Sequence, residues 1–247
     1  RVRRQRQMCI RDRLQEWIDK SRRIVFFGGA GVSTESGIPD FRSTDGLYNQ
    51  KYKYPPETML SHTMYERHTE EFYEFYRDKL LYPDAKPNAA HRKLAELERA
   101  GKLSAIVTQN IDGLHQAAGS RVVYELHGSV LRNHCMRCGR AYGVEAVAEA
   151  ADIPRCACGG IIKPDVVLYE EGLDQQTVEG AVHAIARADC MIVAGTSLSV
   201  YPAAGFIRYF QGEHFVLINR DPTPADKLAD LVLHQKVGQV LSQIQVR

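Results

Sequence analysis

Short apolar runs alternate along the chain with longer amphipathic stretches. The apolar runs predict strands at residues 24–27, 105–108, 122–126, 166–169, 191–194, 215–218 and 231–233. Several of these runs are β-branched and apolar on both faces, which is typical of strands in a buried parallel sheet. The alternation therefore predicts a parallel sheet flanked by helices.

The amphipathic stretches predict the helices between these strands. One helix covers residues 88–100 and ends before Gly101, because glycine is common just beyond a helix. A second helix follows Asp174, whose side chain can cap the first turn, and continues to Arg187. A third helix covers residues 237–246.

Two segments interrupt this alternation. Residues 44–86 are too long for one crossover and should include a helical excursion, whereas residues 130–163 carry few strand signals. We therefore predict an α/β fold in which a Rossmann-like parallel sheet has helices on both faces and insertions form a small second domain. The large domain would comprise residues 14–43, 87–129 and 164–247, the small domain residues 44–86 and 130–163, and residues 1–13 would form a basic head outside the fold.

The composition is that of an ordinary globular protein, with 44% hydrophobic and 25% charged residues. The net charge of +2 comes from the head, since residues 1–13 carry six arginines and one aspartate and the remaining chain is mildly acidic. Such a body gives no reason to expect a nucleic-acid partner. Without an apolar run long enough for a membrane span, or a secretory signal in the head, we expect a cytoplasmic protein.

Four of the six cysteines form two close pairs, Cys135-x-x-Cys138 and Cys156-x-Cys158. Clustered cysteines in a chain without an export signal favour a metal over disulfides. Four thiolates suit a tetrahedral zinc ion and leave no open position for water. We therefore predict one structural Zn²⁺ that holds the small domain together as a zinc-binding and helical domain. An iron–sulfur cluster or a redox role for the same cysteines is the alternative.

A glycine-rich turn, residues 28–31, follows the first predicted strand. Its small residues would let backbone amides approach a pyrophosphate, and Ser33 could cap a helix whose N-terminus favours negative charge. A tight strand–helix turn without a ligand is the alternative. Thr34 occupies the third glycine position of the dinucleotide fingerprint, and no acidic residue is in place for an adenosine ribose. The missing acidic residue argues against ordinary hydride chemistry.

Polar side chains follow the next two predicted strands, in the sequences TQNIDGLH (108–115) and ELHG (125–128). Ligands of open α/β sheets bind beyond the carboxyl ends of the strands. Four side chains are therefore expected at one rim: Gln109, Asn110, Asp112 and His127. Asn110 and Asp112 suit an amide ligand such as nicotinamide, and His127 is a candidate general base. In the alternative interpretation Asp112 caps the next helix and His127 only makes hydrogen bonds to a loop. We interpret His91 and His115 as structural in either case.

Two later strand ends carry polar groups as well. Thr196 and Ser197 lie in AGTSLSVYPAA (194–204) and can hydrogen-bond a phosphate or a ribose. Asn219, in LINRD (217–221), can hold ribose hydroxyls. Strand ends often carry capping hydroxyls, so each signal is modest by itself. Together with the glycine turn, these residues place polar groups from several strand ends at one rim.

Taken together, the sequences GAGVSTESGIPDFRS, TQNIDGLH, ELHG, GTSLSVYPA and INRD and the four cysteines resemble the sirtuins, the NAD-dependent protein lysine deacylases. The resemblance runs from about residue 24 to the C-terminus. It implies a Rossmann-like large domain, a small zinc-binding and helical domain, and NAD in the cleft between them. The glycine turn would then hold NAD as a co-substrate that is cleaved.

The resemblance also implies roles for individual residues, with His127 as the general base. The residues expected to contact NAD are Ala30, Thr34, Phe41, Arg42, Gln109, Ile111, Asp112, His127, Thr196, Ser197, Asn219 and Val237. Of these, Ile111 and Asp112 would line the nicotinamide pocket. Segments 166–170 and 199–201 would hold an acetylated protein substrate as an added strand, with Val167 and Val200 beside the acyl-lysine channel.

The implied reaction deacetylates lysine side chains of proteins and releases nicotinamide and O-acetyl-ADP-ribose. The acyl oxygen would attack the ribose carbon that bears nicotinamide, and His127 would help to deprotonate the ribose hydroxyls before water completes the reaction. Mono-ADP-ribosyl transfer at the same site is one alternative. A zinc-ribbon interaction module without catalysis is another.

Two departures from the sirtuin pattern affect the substrate. Glu170 stands where many sirtuins have glycine, and a side chain there could disturb the peptide strand. Sirtuins that prefer succinyl or malonyl groups carry a Tyr-x-x-Arg pair in the helical excursion, and the best match here is Tyr76-x-x-Lys79. Lysine lacks the guanidinium fork that holds a carboxylate, so we expect an acetyl or another neutral acyl group.

Overall fold

The structure is a computed structural model that describes residues 12–40 and 54–247. Phe41 and Arg42 of the predicted NAD site, and residues 1–11 of the basic head, lie outside the described residues. The helices are α1 (12–20), α2 (Pro56–Met59), α3 (His62–Arg67), α4 (Thr69–Leu80), α5 (Ala89–Arg99), α6 (Leu114–Ala117), α7 (Glu145–Ala148), α8 (Gln175–Ala186) and α9 (Val237–Leu241). The strands are β1 (Ile24–Gly28), β2 (Leu103–Thr108), β3 (Val123–Glu125), β4 (Gly128–Cys135), β5 (Ala141–Tyr142), β6 (Ile162–Val166), β7 (Cys190–Ala194), β8 (His214–Ile218) and β9 (Leu231–Leu233).

Six strands form one parallel sheet in the order β3-β2-β1-β7-β8-β9, which confirms the predicted α/β fold. Gly28 at the end of β1 lies opposite Thr108 of β2 and Ala194 of β7. The segments that follow these three strands therefore start side by side at one edge of the sheet. They are the glycine turn, TQNIDGLH and GTSLSVYPA.

Both faces of this sheet are buried, because neighbouring residues of β1 point to opposite sides. Ile24 and Phe26 pack into one apolar cluster with α1, α5 and α9. Val25 and Phe27 pack into a second cluster with α8. Burial of each large apolar side chain stabilises the fold by about 1.5–3 kcal/mol. This two-sided burial explains why the strand has no polar position.

The predicted helices over 88–100 and after Asp174 are confirmed. Asn88 caps α5 by accepting a hydrogen bond from the Ala90 amide at 2.9 Å, and Gly101 beyond it has φ +72°. The Asp174 carboxylate accepts a hydrogen bond from the Thr177 amide at 2.8 Å. The last predicted helix is shorter than expected, since α9 ends at Leu241. Within the described residues, no helix combines the length and the apolar character needed to cross a membrane.

The prediction of a main-sheet strand at residues 166–169 is wrong. Val166 ends β6, which pairs antiparallel with β4 in a separate three-stranded sheet of order β5-β4-β6. The sequence did not indicate β4 because its residues 128–135 mix glycine and charged positions with apolar ones. We call this the second sheet.

A third apolar cluster joins α2, α3 and α4 to the second sheet. It contains the aromatic residues Tyr65, Phe72, Tyr73 and Tyr76 together with β-strand residues such as Ile162. The Tyr73 hydroxyl donates a hydrogen bond to the Ile162 carbonyl at 2.7 Å. Helices from one predicted insertion thus pack on strands from the other. The residue limits of the two domains stay a prediction.

Candidate active site

A cavity of about 1060 Å³ lies along the carboxyl ends of β1, β2 and β7 and extends to the second sheet. It is lined by every predicted binding or catalytic residue that the structure describes, namely Ala30, Thr34, Gln109, Ile111, Asp112, His127, Val167, Thr196, Ser197, Val200, Asn219 and Val237. The roles of these residues stay predictions. Their convergence shows that the polar strand ends and the segments expected to hold a peptide share one space.

The glycine turn serves the protein backbone itself. The Gly31 amide donates to the Gly195 carbonyl at 2.8 Å and the Gly29 amide to Ala194 at 3.2 Å. A Cβ atom on Gly31 would lie 2.7 Å from the Gly195 Cα, so the two main chains touch. Two short 3₁₀ helices follow the turn where an α-helix was expected. The amides of Gly29 and Gly31 are therefore engaged with the neighbouring strand end. The phosphate contact of the glycine turn stays a prediction.

Ser33 has a different function from the predicted helix cap. It makes no side-chain cap hydrogen bond, and its hydroxyl donates to the Asp112 carboxylate at 2.6 Å. The side-chain amide of Asn110 donates from Nδ2 to the Ser33 Oγ at 3.0 Å, so Ser33 lies between Asn110 and Asp112. The other Asp112 oxygen accepts from the Leu114 amide at 2.9 Å, as in the alternative interpretation of a helix cap. Sequence analysis missed Ser33 as a site residue because its partner lies far away along the chain.

The His127 ring is held in one tautomer. Its Nδ1 lies 3.0 Å from the Gln109 carbonyl, which can only accept, so Nδ1 carries the proton and Nε2 is left with a lone pair. Burial lowers the pKa of His127 below its ordinary value, and the hydrogen bond to the Gln109 carbonyl acts in the opposite direction. The imidazole is therefore neutral at pH 7 and able to accept a proton at Nε2.

Gln109, Thr196 and Asn219 are tied together beneath the cavity. The Thr196 hydroxyl donates to Gln109 Oε1 at 2.9 Å. The Asn219 side chain accepts from the Thr196 amide at 3.0 Å and donates to its carbonyl at 2.8 Å. Among the described residues, the buried Nε2 of Gln109 has no hydrogen-bond partner. A buried orphan donor at the wall of the cavity fits a polar ligand such as NAD.

The segment after β6 runs along the cavity. The Val167 amide donates to the His127 carbonyl at 3.0 Å, which links the segment to the candidate base. All four residues 166–169 line the cavity, and their exposure alternates, since Val166 and Leu168 are buried whereas Val167 and Tyr169 are more exposed. This alternation is typical of an extended strand that presents one face.

The residues matched to the Tyr-x-x-Arg pair do not form a pair at the cavity. Lys79 lines the cavity and lies 2.9 Å from the Asp78 carboxylate. Tyr76 is fully buried in the aromatic cluster and is not part of the cavity wall. Nothing in this arrangement resembles a carboxylate-binding fork, which agrees with the expectation of a neutral acyl group.

Cys135, Cys138, Cys156 and Cys158 form a candidate metal centre at one end of the second sheet, with their sulfur atoms within 4.8 Å of one another. The Sγ atoms of Cys135 and Cys158 are 3.5 Å apart, and those of Cys138 and Cys156 are 3.6 Å apart. Zn–S bonds of about 2.3 Å place the sulfurs of a tetrahedron about 3.8 Å apart, so the four thiols fit Zn²⁺. Hydrogen bonds from the Cys158 backbone and the Tyr142 hydroxyl lower the pKa of Cys156 to about 6, which favours the thiolate that a metal requires.

Similarity to known proteins extends over nearly the whole chain. A profile of the Sir2 family matches residues 29–202. The chain is similar to an NAD-dependent protein deacetylase of Clostridium acetobutylicum, with 60% identity over 235 residues that cover 94% of this chain and 96% of that protein. It is also similar to one of Cutibacterium acnes, with 56% identity over 236 residues that cover 95% of this chain and 97% of that protein.

Solved structures show the same relationship. One that concerns the mechanism and regulation of Sir2 enzymes has a TM-score of 0.85 at 42% identity and covers 95% of both chains. Another, a complex of Sir2 with a p53 peptide and NAD⁺, has a TM-score of 0.81 at 40% identity and covers 93% of this chain and 94% of that one. With a profile match over more than half of its length and relatives at this level of identity, the chain belongs to the Sir2 family.

Proposed function

We propose that the chain is an NAD-dependent protein lysine deacetylase that transfers the acetyl group of acetyl-lysine to ADP-ribose and releases nicotinamide. Membership of the Sir2 family and the deacetylases among its relatives support this activity. The observation that carries it for this chain is the position of the neutral His127 and the Ser33–Asp112 pair in the wall of one cavity, beside the segment after β6.

The first step requires nicotinamide to leave the ribose. Asp112, Asn110 and Ser33 form a hydrogen-bonded group of donors and acceptors. Such a group can bind the carboxamide of nicotinamide and orient the glycosidic bond toward the incoming acyl oxygen. The Leu114 amide holds the Asp112 carboxylate from behind, so the group is preorganised.

The second step requires a base for the ribose hydroxyls. His127 would accept the proton at Nε2, since the Gln109 carbonyl keeps the proton of the free imidazole at Nδ1. The ribose oxygen would then attack the carbon of the acyl group, and water would complete the transfer. Because the imidazole is already neutral at pH 7, no proton has to be removed from it first.

The Zn²⁺ would hold the second sheet together through the four cysteines and supplies no chemistry to the reaction, because four sulfur ligands complete its tetrahedral shell. An acetylated protein would bind as an added strand between segments 166–170 and 199–201. Clustered cysteines whose geometry fits a metal ion are typical of a reducing compartment, and on that ground we propose a cytoplasmic location.

The proposed reaction is tested by incubating the protein with NAD and an acetyl-lysine peptide and analysing the products by mass spectrometry. We expect free lysine peptide, nicotinamide and O-acetyl-ADP-ribose. The His127→Ala variant should lose about 10²–10⁴-fold in kcat while it retains its zinc and its circular-dichroism spectrum. ADP-ribosylated protein in place of O-acetyl-ADP-ribose would identify mono-ADP-ribosyl transfer. Unchanged NAD would indicate an interaction module without catalysis.

The acyl preference is tested on the same peptide. Because Lys79 has no fork for a carboxylate and Tyr76 is buried away from the cavity, deacetylation should exceed desuccinylation in kcat/KM. The opposite order would contradict the assignment of a neutral acyl group.

A further inference from the structure

The first turn of α3 is capped by the segment that follows β6. Within its own helix, Ser61 accepts a hydrogen bond from the Met64 amide at 3.0 Å. The two preceding amides are satisfied from outside, since the His62 amide donates to the Tyr169 carbonyl at 3.0 Å and the Thr63 amide donates to Glu170 at 2.9 Å. The first turn of α3 thus fixes the position of residues 169–170.

Glu170 adopts a backbone conformation that normally belongs to glycine. Its φ of +77° lies in the left-handed region, which is unfavourable for a residue with a Cβ atom. The Thr63 hydroxyl donates to its carboxylate at 2.7 Å, in addition to the Thr63 amide. The side chain is therefore directed toward α3. Glu170 also lines the cavity, so its effect on a peptide strand stays a prediction.

Glu171 holds the same segment through partners on three elements. Its half-buried carboxylate accepts from the Leu168 amide at 2.9 Å, contacts the His62 ring at 2.9 Å, and lies 3.3 Å from the Lys163 amine. Burial raises the pKa of Glu171, but the hydrogen bonds and the Lys163 charge outweigh this and keep it below the ordinary value. The carboxylate is therefore charged, and the pair depends on both of its members because its lysine is buried and its carboxylate is half-buried.

Lys163 connects this carboxylate to the strand itself. Its side chain is buried, and its amine lies 3.3 Å from the carbonyl oxygens of both Pro164 and Val166 in β6. It also lies 5.8 Å from the centre of the Tyr65 ring, which favours the cation. Lys163 and Glu171 together therefore hold Val166 and Leu168 within the cavity-lining residues 166–169.

We propose that three residues, here called the clamp, are positioning residues that set the affinity of the cavity for the acetylated peptide. They are Lys163, Glu170 and Glu171. The inference rests on the proposed function. A peptide added as a strand binds through backbone hydrogen bonds, so the placement of residues 166–169 decides its affinity. The clamp makes no hydrogen bond to Ser33, Asp112 or the Gln109–Thr196 group. The segment that it holds reaches the candidate base through the Val167 amide, which donates to the His127 carbonyl. We therefore expect the clamp to affect peptide binding more than NAD binding.

The test compares Lys163→Met, which removes the buried charge at similar size, with Lys163→Arg, which restores it. We expect the KM for an acetyl-lysine peptide to rise about tenfold in Lys163→Met, because a small misplacement of a binding group is amplified in this way. The KM for NAD should stay within about twofold, and Lys163→Arg should recover most of the peptide affinity. Fluorescence anisotropy of a labelled acetylated peptide measures the same loss without turnover.

Glu179→Gln is the matched control, since Glu179 is an exposed carboxylate on α8 whose partner is Gln175. It should change neither KM. If Lys163→Met fails to fold, the double variant Lys163→Met with Glu171→Gln removes both charges together and avoids an unpaired buried carboxylate. Its peptide KM should still be raised.

The exposed member of the clamp gives a milder test that does not endanger folding. Thr63→Val removes the hydroxyl donor of Glu170 and keeps the backbone amide, so we expect a rise of about threefold in peptide KM.

A folded Lys163→Met or double variant with the wild-type peptide KM would overturn the inference, and so would an equal rise in the KM for NAD. Failure of the proposed function has a different signature, because the wild-type protein would then form no O-acetyl-ADP-ribose from the acetylated peptide.

Discussion

The large parallel sheet and the second sheet are stabilised in different ways. Strands β1 and β7 are buried at every position, and their aliphatic and aromatic side chains fill a core on each face. Strand β4 mixes buried and exposed positions, and its core depends on tyrosines from α3 and α4 and on cysteines. The large sheet therefore follows from apolar packing alone, whereas the second sheet needs partners from distant parts of the chain and the metal that its thiols fit.

The cavity takes one wall from each region. Asp112, Gln109 and Thr196 follow strands of the large sheet, while Val166 and Val167 stand at the end of β6. His127 lies between them, directly before β4. NAD binding should thus depend mainly on the large sheet, and peptide binding should depend on the second sheet.

The largest effect is expected from loss of the metal. Chelation of the metal should abolish deacetylation, and so should Cys135→Ser, which removes one of the four thiolate ligands. The reason is that a structural zinc site of this kind contributes about 10–16 kcal/mol to folding. Hydrogen exchange should show β4 and β6 open while β1 and β7 stay protected. Cys190→Ala, a buried thiol of the large sheet outside the cluster, is the control. Simultaneous loss of protection in both sheets would contradict the independence of the two regions.

Loss of the metal should destabilise the second sheet, whereas acid should destabilise the large-sheet region. Burial lowers the pKa of His91 to about 4 and that of His115 to about 3, so both rings are neutral in the folded state. Below the unfolded value of about 6.5 the unfolded chain takes up about two more protons, and stability present above that pH is lost as the pH falls. By pH 5 the loss should reach about 4 kcal/mol.

Trp17, the sole tryptophan, lies in α1 and reports on this region. Its fluorescence should show a thermal midpoint that decreases steadily from pH 7 to pH 5. A midpoint independent of pH over this range would show that the two imidazoles already carry protons in the folded protein.

The smallest effect compares two tyrosines of the second region on the same helix. Tyr73→Phe removes the hydroxyl that donates to the Ile162 carbonyl and should destabilise the protein by about 1–3 kcal/mol. Tyr76 is equally buried, but its hydroxyl has no partner among the described residues. Tyr76→Phe should therefore be neutral or stabilising. Urea denaturation measures both, and equal effects of the two substitutions would contradict the packing described for α4.

The large sheet could be predicted from the sequence because its signal is local. An apolar run such as 24–27 specifies a buried strand without reference to the rest of the chain. The same rule about strand ends brought Asp112 and His127 to one rim. Strand β4 could not be predicted in this way, because its polar residues are explained only by partners in β6 and by the cysteine cluster.

The candidate site shows the same limit. The polar residue types at the strand ends were visible in the sequence, but the direction of each hydrogen bond was not. Ser33 stood where a helix cap was expected and instead bonds to Asp112. Nor did the sequence indicate that two amides of the glycine turn, those of Gly29 and Gly31, bond to the segment at the end of β7. Such hydrogen bonds join segments that are far apart along the chain. The local sequence pattern of either segment therefore does not indicate them.

The contact between Gly31 and Gly195 gives these two positions a shared constraint. A methyl group on either residue would enter the main chain of the other, and Gly195 also has a φ of +60°. Because the obstacle is backbone on both sides, no second replacement can relieve it. Saturation mutagenesis at either position should therefore return glycine alone, and the pair would change in evolution only through a rearrangement of both loops.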